Sequence, residues 1–210
     1  IDLLIEPRDL ATAANLLSER AYELRLPSSL AALQSWHARN KDSVWERDKT
    51  LYVDLHTRLA DNQRLIPTID VHSPWQLVEI APSISLPTLA DDELFAYLAV
   101  HGASSAWFRL KWISDFAALL HGRSAGEIGR LYRRSQDLGA GRAASQALLL
   151  AEALFNTLRL EPALREQLAS DRSAQLLCRA PLRMLVDGIV GPTERPLGTM
   201  TIHWTQFLVQ

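Results

Sequence analysis

The sequence predicts an α+β protein: a small mixed sheet with helices, followed by a helix-rich C-terminal domain. Three observations carry that expectation. Two short runs, Ile1–Ile5 and Thr50–Arg58, alternate their side chains with the period of a strand. From Asp91 onward the apolar spacing becomes that of a helix and stays so. Between them, Pro67, Pro74, Pro82 and Pro87 cut the stretch from Asp61 to Pro87 into short pieces, which read as a connector. The domains are accordingly set at residues 1–87 and 88–210.

In the first run Ile1, Leu3 and Ile5 alternate with Asp2 and Leu4. Pro7 suits the first turn of a helix, where its fixed φ and missing N–H cost nothing. Leu10, Ala13, Ala14 and Leu17 give that helix one apolar face, with its end near Arg20 or Ala21. Ser28 or Ser29 is the candidate cap of a second helix, running to about Arg39 and burying Leu30, Leu33 and Trp36. In the second strand-like run Leu51, Val53, Leu55 and Leu59 alternate with Tyr52, Asp54, His56 and Arg58, so Asp54 and His56 share a face. One long helix is expected over Asp91–Leu120, with Gly102 as its weak point. Further helices are expected over Ser124–Leu138, Arg142–Leu158, Pro162–Ala169 and Ser173–Val190, with a break at Gly139 and Gly141. Beyond Gly191, Trp204, Phe207 and Leu208 form an apolar cluster expected to dock back on its domain.

A chain of 210 residues can bury one substantial core or two small ones. Its 48% hydrophobic content argues against global disorder. With 22 basic and 24 acidic residues, net −2, it lacks the overall positive charge of a general nucleic-acid binder. A local patch could form around Arg123, Arg130, Arg133, Arg134 and Arg142, and a solvated helix face is its plainer reading. Cys178 is alone, which excludes an internal disulfide and a cysteine metal cluster. No apolar run approaches the roughly 18 residues needed to cross a bilayer, and no signal-peptide pattern opens the chain. A cytoplasmic protein without membrane association is the expectation. The opening at Ile1, inside a strand-like run, is read as the start of a fragment, a processed product, or a sequence missing an unresolved N-terminal part.

Two carboxylates are the candidate chemistry. Asp2 and Asp54 stand on the two strand-like runs, and an acid on each of two neighbouring strands is a sensible arrangement for magnesium, which takes oxygen ligands. In nucleotidyl transfer such a cation neutralises phosphate charge and orients an attacking hydroxyl. Asp2 also reads as a plain strand-end surface charge. Asp54 is the more informative, because it interrupts an apolar-rich strand two residues from His56. His56 itself reads as a hydrogen-bonded histidine at a sheet edge, placed to orient a carboxylate or to meet a substrate phosphate.

The order of these residues resembles the uncharacterised nucleotidyltransferase family of the DNA polymerase beta-like nucleotidyltransferase superfamily. Ile1-Asp2-Leu3-Leu4-Ile5 is similar to the latter part of the family segment Asp-Ile-Asp-Leu-Leu-Val, and Val53-Asp54-Leu55-His56 to its later strand. His101-Gly102-Ala103, then Trp107, Arg109-Leu110-Lys111-Trp112 and Asp115, resemble its helical signature. The match in order extends over about residues 1 to 160. The resemblance implies a partial nucleotidyltransferase-like domain at 1–87, a nucleoside triphosphate donor and Mg²⁺. By it Asp2 is the second member of an Asp-x-Asp pair and Asp54 the third carboxylate. The partner aspartate and a glycine-containing loop would precede Ile1, so the chain is expected to act in its complete form and to be inactive if that motif is truly absent.

On one continuous helix His101 and Asp115 would lie about 40° apart around the axis and about 21 Å apart along it. That describes a wall beside a cleft, with Arg109 or Lys111 as candidate donors to nucleotide phosphates. Their bland reading is solvation of the helix while their stems cover apolar neighbours. Trp107 and Trp112 read as packing residues. The leading function is magnesium-dependent nucleotidyl transfer to an acceptor that is a small molecule, a peptide or a protein. The alternative is a noncatalytic binding or assembly protein on the same scaffold, with a nucleic-acid-binding helical module behind both.

Overall fold

The computed structural model describes residues 1–186. They divide into two compact units, Ile1–Gln63 with Thr68–Ser73, and Arg64–Pro67 with the chain from Pro74 onward.

The first unit is a sheet with helices on one face. Strand β1 (Asp2–Leu4) is followed by a 3-10 turn (Pro7–Asp9) and helix α1 (Leu10–Glu19). Then come β2 (Glu23–Leu26), a second 3-10 turn (Leu30–Ala32), α2 (Leu33–His37), β3 (Asp42–Arg47) and β4 (Leu51–His56). The strand order is β1-β4-β3-β2. β1 runs parallel to β4 while β3 is antiparallel to both of its neighbours, which makes the sheet mixed. The two strand-like runs of the sequence are therefore partners, a parallel pairing that requires an intervening crossover. A tight turn joins β3 to β4, with Asp48 and Lys49 both at positive φ and Thr50 N donating to Arg47 O at 3.2 Å. Such a turn matches the twist of a hairpin.

Period two then sorts the side chains. Trp45, Val53 and Leu55 point to one face and form a core with Leu10 and Ala14 of α1 and Leu33 of α2. Trp45 is fully enclosed, its Nε1 donating to Ser43 Oγ at 3.1 Å. The opposite face takes the intervening residues, among them Asp54 and His56.

The second unit begins with a β-hairpin, β5 (Trp75–Ala81) and β6 (Ile84–Leu89), in place of the irregular connector that the prolines suggested. Pro74 precedes the first strand and Pro82 sits in the turn, and Pro87 lies on the second strand opposite Leu77. A two-stranded ribbon has a free edge on each strand, where the missing proline N–H costs no ladder bond. Helices α3 (Asp91–Ser104), α4 (Leu110–Leu120), α5 (Ala125–Asp137), α6 (Gly141–Phe155), α7 (Pro162–Ser170) and α8 (Arg172–Val186) follow. Helix α6 packs against α3, α4, α5 and α8, and its buried face is rich in alanine (Ala143, Ala144, Ala147, Ala151), which lets neighbours approach closely. Ser124 and Glu127 close a capping box at the start of α5. Among the described residues no helix is long and apolar enough to cross a membrane.

The single helix expected over Asp91–Leu120 is two helices. Its break lies after Ser104, because Ala106 and Trp107 turn the chain with φ of 50° and 52°. Trp107 folds back over Gly102 so closely that a Cβ there would come within 2.2 Å of the indole. The fully buried indole Nε1 then donates to Gln146 Oε1 at 3.2 Å. Gly102 is thus the seat of a buried tryptophan and lies within α3. The tail cluster of Trp204, Phe207 and Leu208, and the end of the last expected helix, lie outside the described residues.

Candidate functional site

The parallel register of β1 and β4 sets Asp2 directly opposite Asp54. Directly paired residues of adjacent strands project to the same face, so both carboxylates stand on the face turned away from α1 and α2. Backbone bonds fix this register on both sides: Asp54 N donates to Ile1 O and Ile5 N to His56 O, each at 2.9 Å. Asp2 is exposed and Asp54 half-buried. Among the described residues neither makes an ion pair with a lysine or arginine.

That leaves like charges side by side. Burial pushes the Asp54 carboxyl above the ordinary carboxylate range, and the negative charges of Asp2 and Asp42 push it the same way. A protonated His56 would act against them without cancelling the effect.

Asp42 is a member of this face that the sequence reading missed. It starts β3 opposite His56, and its Oδ2 lies 3.9 Å from His56 Nε2. The signal was present in the alternation of Asp42, Val44 and Glu46 with Ser43 and Trp45, but a serine at a core position concealed the strand. His56 is buried, and its Nδ1 has no protein partner. Desolvation, aided by the Lys41 charge, lowers its pKa despite the nearby carboxylates of Asp42, Asp2 and Asp54, so the imidazole is neutral at pH 7. A neutral ring backs the carboxylate face without supplying the positive charge that would satisfy it.

Arg109 and Lys111 belong to the second unit. Both are exposed at the start of α4, with Arg109 immediately before the helix. The Arg109 guanidinium lies over two rings, 5.4 Å from the centroid of Phe108 and 5.6 Å from that of Trp112. Trp112 is edge-on to His101 at 5.3 Å, so the signature residues on either side of the helix break do meet. They meet through folding of the chain, where a continuous helix would hold them apart.

Among the described residues no group of three or more His, Cys, Asp or Glu side chains is arranged to hold a metal ion. Two adjacent carboxylates lacking cationic partners still fit magnesium, which takes few protein ligands and completes its shell with water and substrate phosphates. Residues 1–156 match the family described as uncharacterised nucleotidyltransferase. No curated protein and no solved structure matches the chain.

Proposed function

We propose that this chain, which belongs to the uncharacterised nucleotidyltransferase family, carries out magnesium-dependent nucleotidyl transfer from a nucleoside triphosphate to an acceptor, with Asp2 and Asp54 as the metal-holding carboxylates. The observation that carries the reading is the pairing of Asp2 with Asp54 across β1 and β4, without an ion pair to a lysine or arginine among the described residues. Hard divalent cations take carboxylate oxygens, and a cation held by the two acids would offset the negative charges that, after burial, raise the Asp54 pKa. When bound, magnesium neutralises charge on the donor phosphates and favours attack of an acceptor hydroxyl at phosphorus.

The protein's own contributions follow from the fold. The parallel pairing holds both acids on one rigid sheet face, so little ordering is left for the moment of binding. His56 keeps a neutral ring behind them, leaving the negative potential of the face intact. Arg109 and Lys111 are the proposed donors to phosphate oxygens, Arg109 through its planar fork of N–H groups and Lys111 as a point charge. The acceptor is proposed to be a small molecule, peptide or protein, and the setting cytoplasmic.

The test is magnesium-dependent incorporation of labelled nucleotide by the full-length protein with a mixture of candidate acceptors, wild type against Asp54→Ala. The expected outcome is loss of transfer in a variant whose circular dichroism is unchanged. Equal transfer by wild type and folded Asp54→Ala, with the same magnesium dependence, would sink the assignment.

A further inference from the structure

Within the second unit, Arg109, just before α4, is held differently from the arginines that meet the start of α3. Arg123 reaches Asp91 at 2.8 Å, Arg130 reaches Asp92, and Arg134 lies 4.0 Å from Glu93. Each of these charges is met by a carboxylate. Arg109 makes no ion pair among the described residues, and its guanidinium lies instead over the rings of Phe108 and Trp112. Those rings are themselves set at 81° to one another with centroids 4.9 Å apart, and Trp112 is wedged edge-on against His101. Both are half-buried, whereas Arg109 is exposed.

A ring face holds a guanidinium by attraction to its quadrupole, without consuming any N–H donor. Both properties suit an anion receptor. The side chain is ordered before the ligand arrives, and its positive charge and its fork of donors are unspent. Lys111, exposed two residues on, has a flexible stem and no such support.

We propose that Phe108 and Trp112 are positioning residues whose rings hold Arg109 as a receptor for phosphoryl oxygens, so that Arg109, and not Lys111, sets the affinity for a polyphosphate. The inference deepens the nucleotidyl-transfer reading by assigning the donor's phosphate contact, and it rests on that reading for the identity of the donor.

The test is calorimetric titration of the full-length protein with inorganic tripolyphosphate in the absence of divalent cation, so that the carboxylate pair takes no part. Arg109→Ala is expected to weaken binding about tenfold and Lys111→Ala less than about twofold. Trp112→Leu, which removes the ring, should weaken it about two- to fivefold, while Trp112→Phe retains a ring and should bind as wild type does. Phe108→Leu against Phe108→Tyr gives the same contrast if Trp112→Leu fails to fold. A nucleoside triphosphate should bind at least as well as tripolyphosphate and the free nucleoside far less, which identifies the phosphates as the source of the signal. No binding of tripolyphosphate, no effect of Arg109→Ala, or equal losses in Trp112→Phe and Trp112→Leu would each overturn the proposal. Ring-dependent binding in an Asp54→Ala protein that transfers nucleotide as well as wild type would refute the carboxylate reading while supporting this one.

Discussion

Two groups of acids in this molecule have the same chemistry and opposite circumstances. At the start of α3, Asp91, Asp92 and Glu93 are each answered by an arginine, from Arg123, Arg130 and Arg134. On the sheet face of the first unit, Asp2 and Asp54 stand opposite each other and, among the described residues, form no ion pair with a lysine or arginine. The titration behaviour follows. Burial would raise the Asp91 carboxyl, but hydrogen bonds from Arg123 and Gln76 and the charges of Arg123 and Arg130 outweigh it and hold the pKa below the ordinary value. Burial also raises Asp54, and there the neighbouring carboxylates add to the effect. Acids that serve the fold are neutralised by the fold. The pair on the sheet keeps its negative charge, and perturbed groups of this kind are common at functional sites.

The helical unit sets the scale against which both groups are measured. Trp107→Ala should destabilise by about 3–5 kcal/mol, because it empties a fully buried site and leaves Gln146 without its indole donor. Gly102→Ala should cost about 1–3 kcal/mol through the clash with the same ring. Denaturant melts of the two variants check this. Losses under 1 kcal/mol in both would mean that the helical signature is not the packing lock described above.

Asp91→Asn should cost about 1 kcal/mol at neutral pH, the value of a charge-assisted hydrogen bond discounted for partial exposure. Asp54→Asn should act in the opposite direction and stabilise the metal-free protein slightly, since it removes a carboxylate from beside Asp2. The pH dependences separate the two further. Asp91 has a lowered folded pKa, so its contribution is present above the unfolded value of 3.8 and is lost as pH falls through the lowered one. Asp54 has a raised folded pKa, so its contribution is greatest below 3.8 and is lost as pH rises through the raised value. Both variants should therefore converge on wild type in acid and diverge from it, with opposite signs, toward pH 7. Thermal melts across pH 3 to 7 read this directly, and parallel curves for the two variants would break the comparison. The smallest effect concerns Cys178, whose thiol burial pushes up to about 12. It should react with a thiol reagent only as fast as the helical unit opens.

The legible and illegible parts of the sequence divide along the same physical line. β1, α1 and β4 could be read because their signals are local: alternation at Ile1–Ile5, Pro7 at a helix start, and Val53 and Leu55 on one face. β2 is only four residues long, and β3 hides a core position behind Ser43, so neither stands out. The hairpin β5–β6 was masked by prolines that a two-stranded ribbon tolerates. At the site, the residue types of Asp2 and Asp54 were visible but their juxtaposition was not, because register is a property of pairing. The same holds for Asp42 beside His56. The break after Ser104 escaped detection because its cause is a long-range fit, Trp107 over Gly102 and against Gln146, and no local residue announces it.

On the proposed reading, the sheet pair is left uncompensated in order to hold a divalent cation. Manganese can replace magnesium at oxygen sites and is followed by its paramagnetic resonance signal, which drops as the ion binds. The full-length wild-type protein, Asp54→Asn and Asp91→Asn should be titrated with Mn²⁺ at neutral pH. Saturable binding by wild type and Asp91→Asn, weakened at least tenfold in Asp54→Asn, is the predicted result. Equal binding by all three proteins, or none by folded wild type, would contradict it.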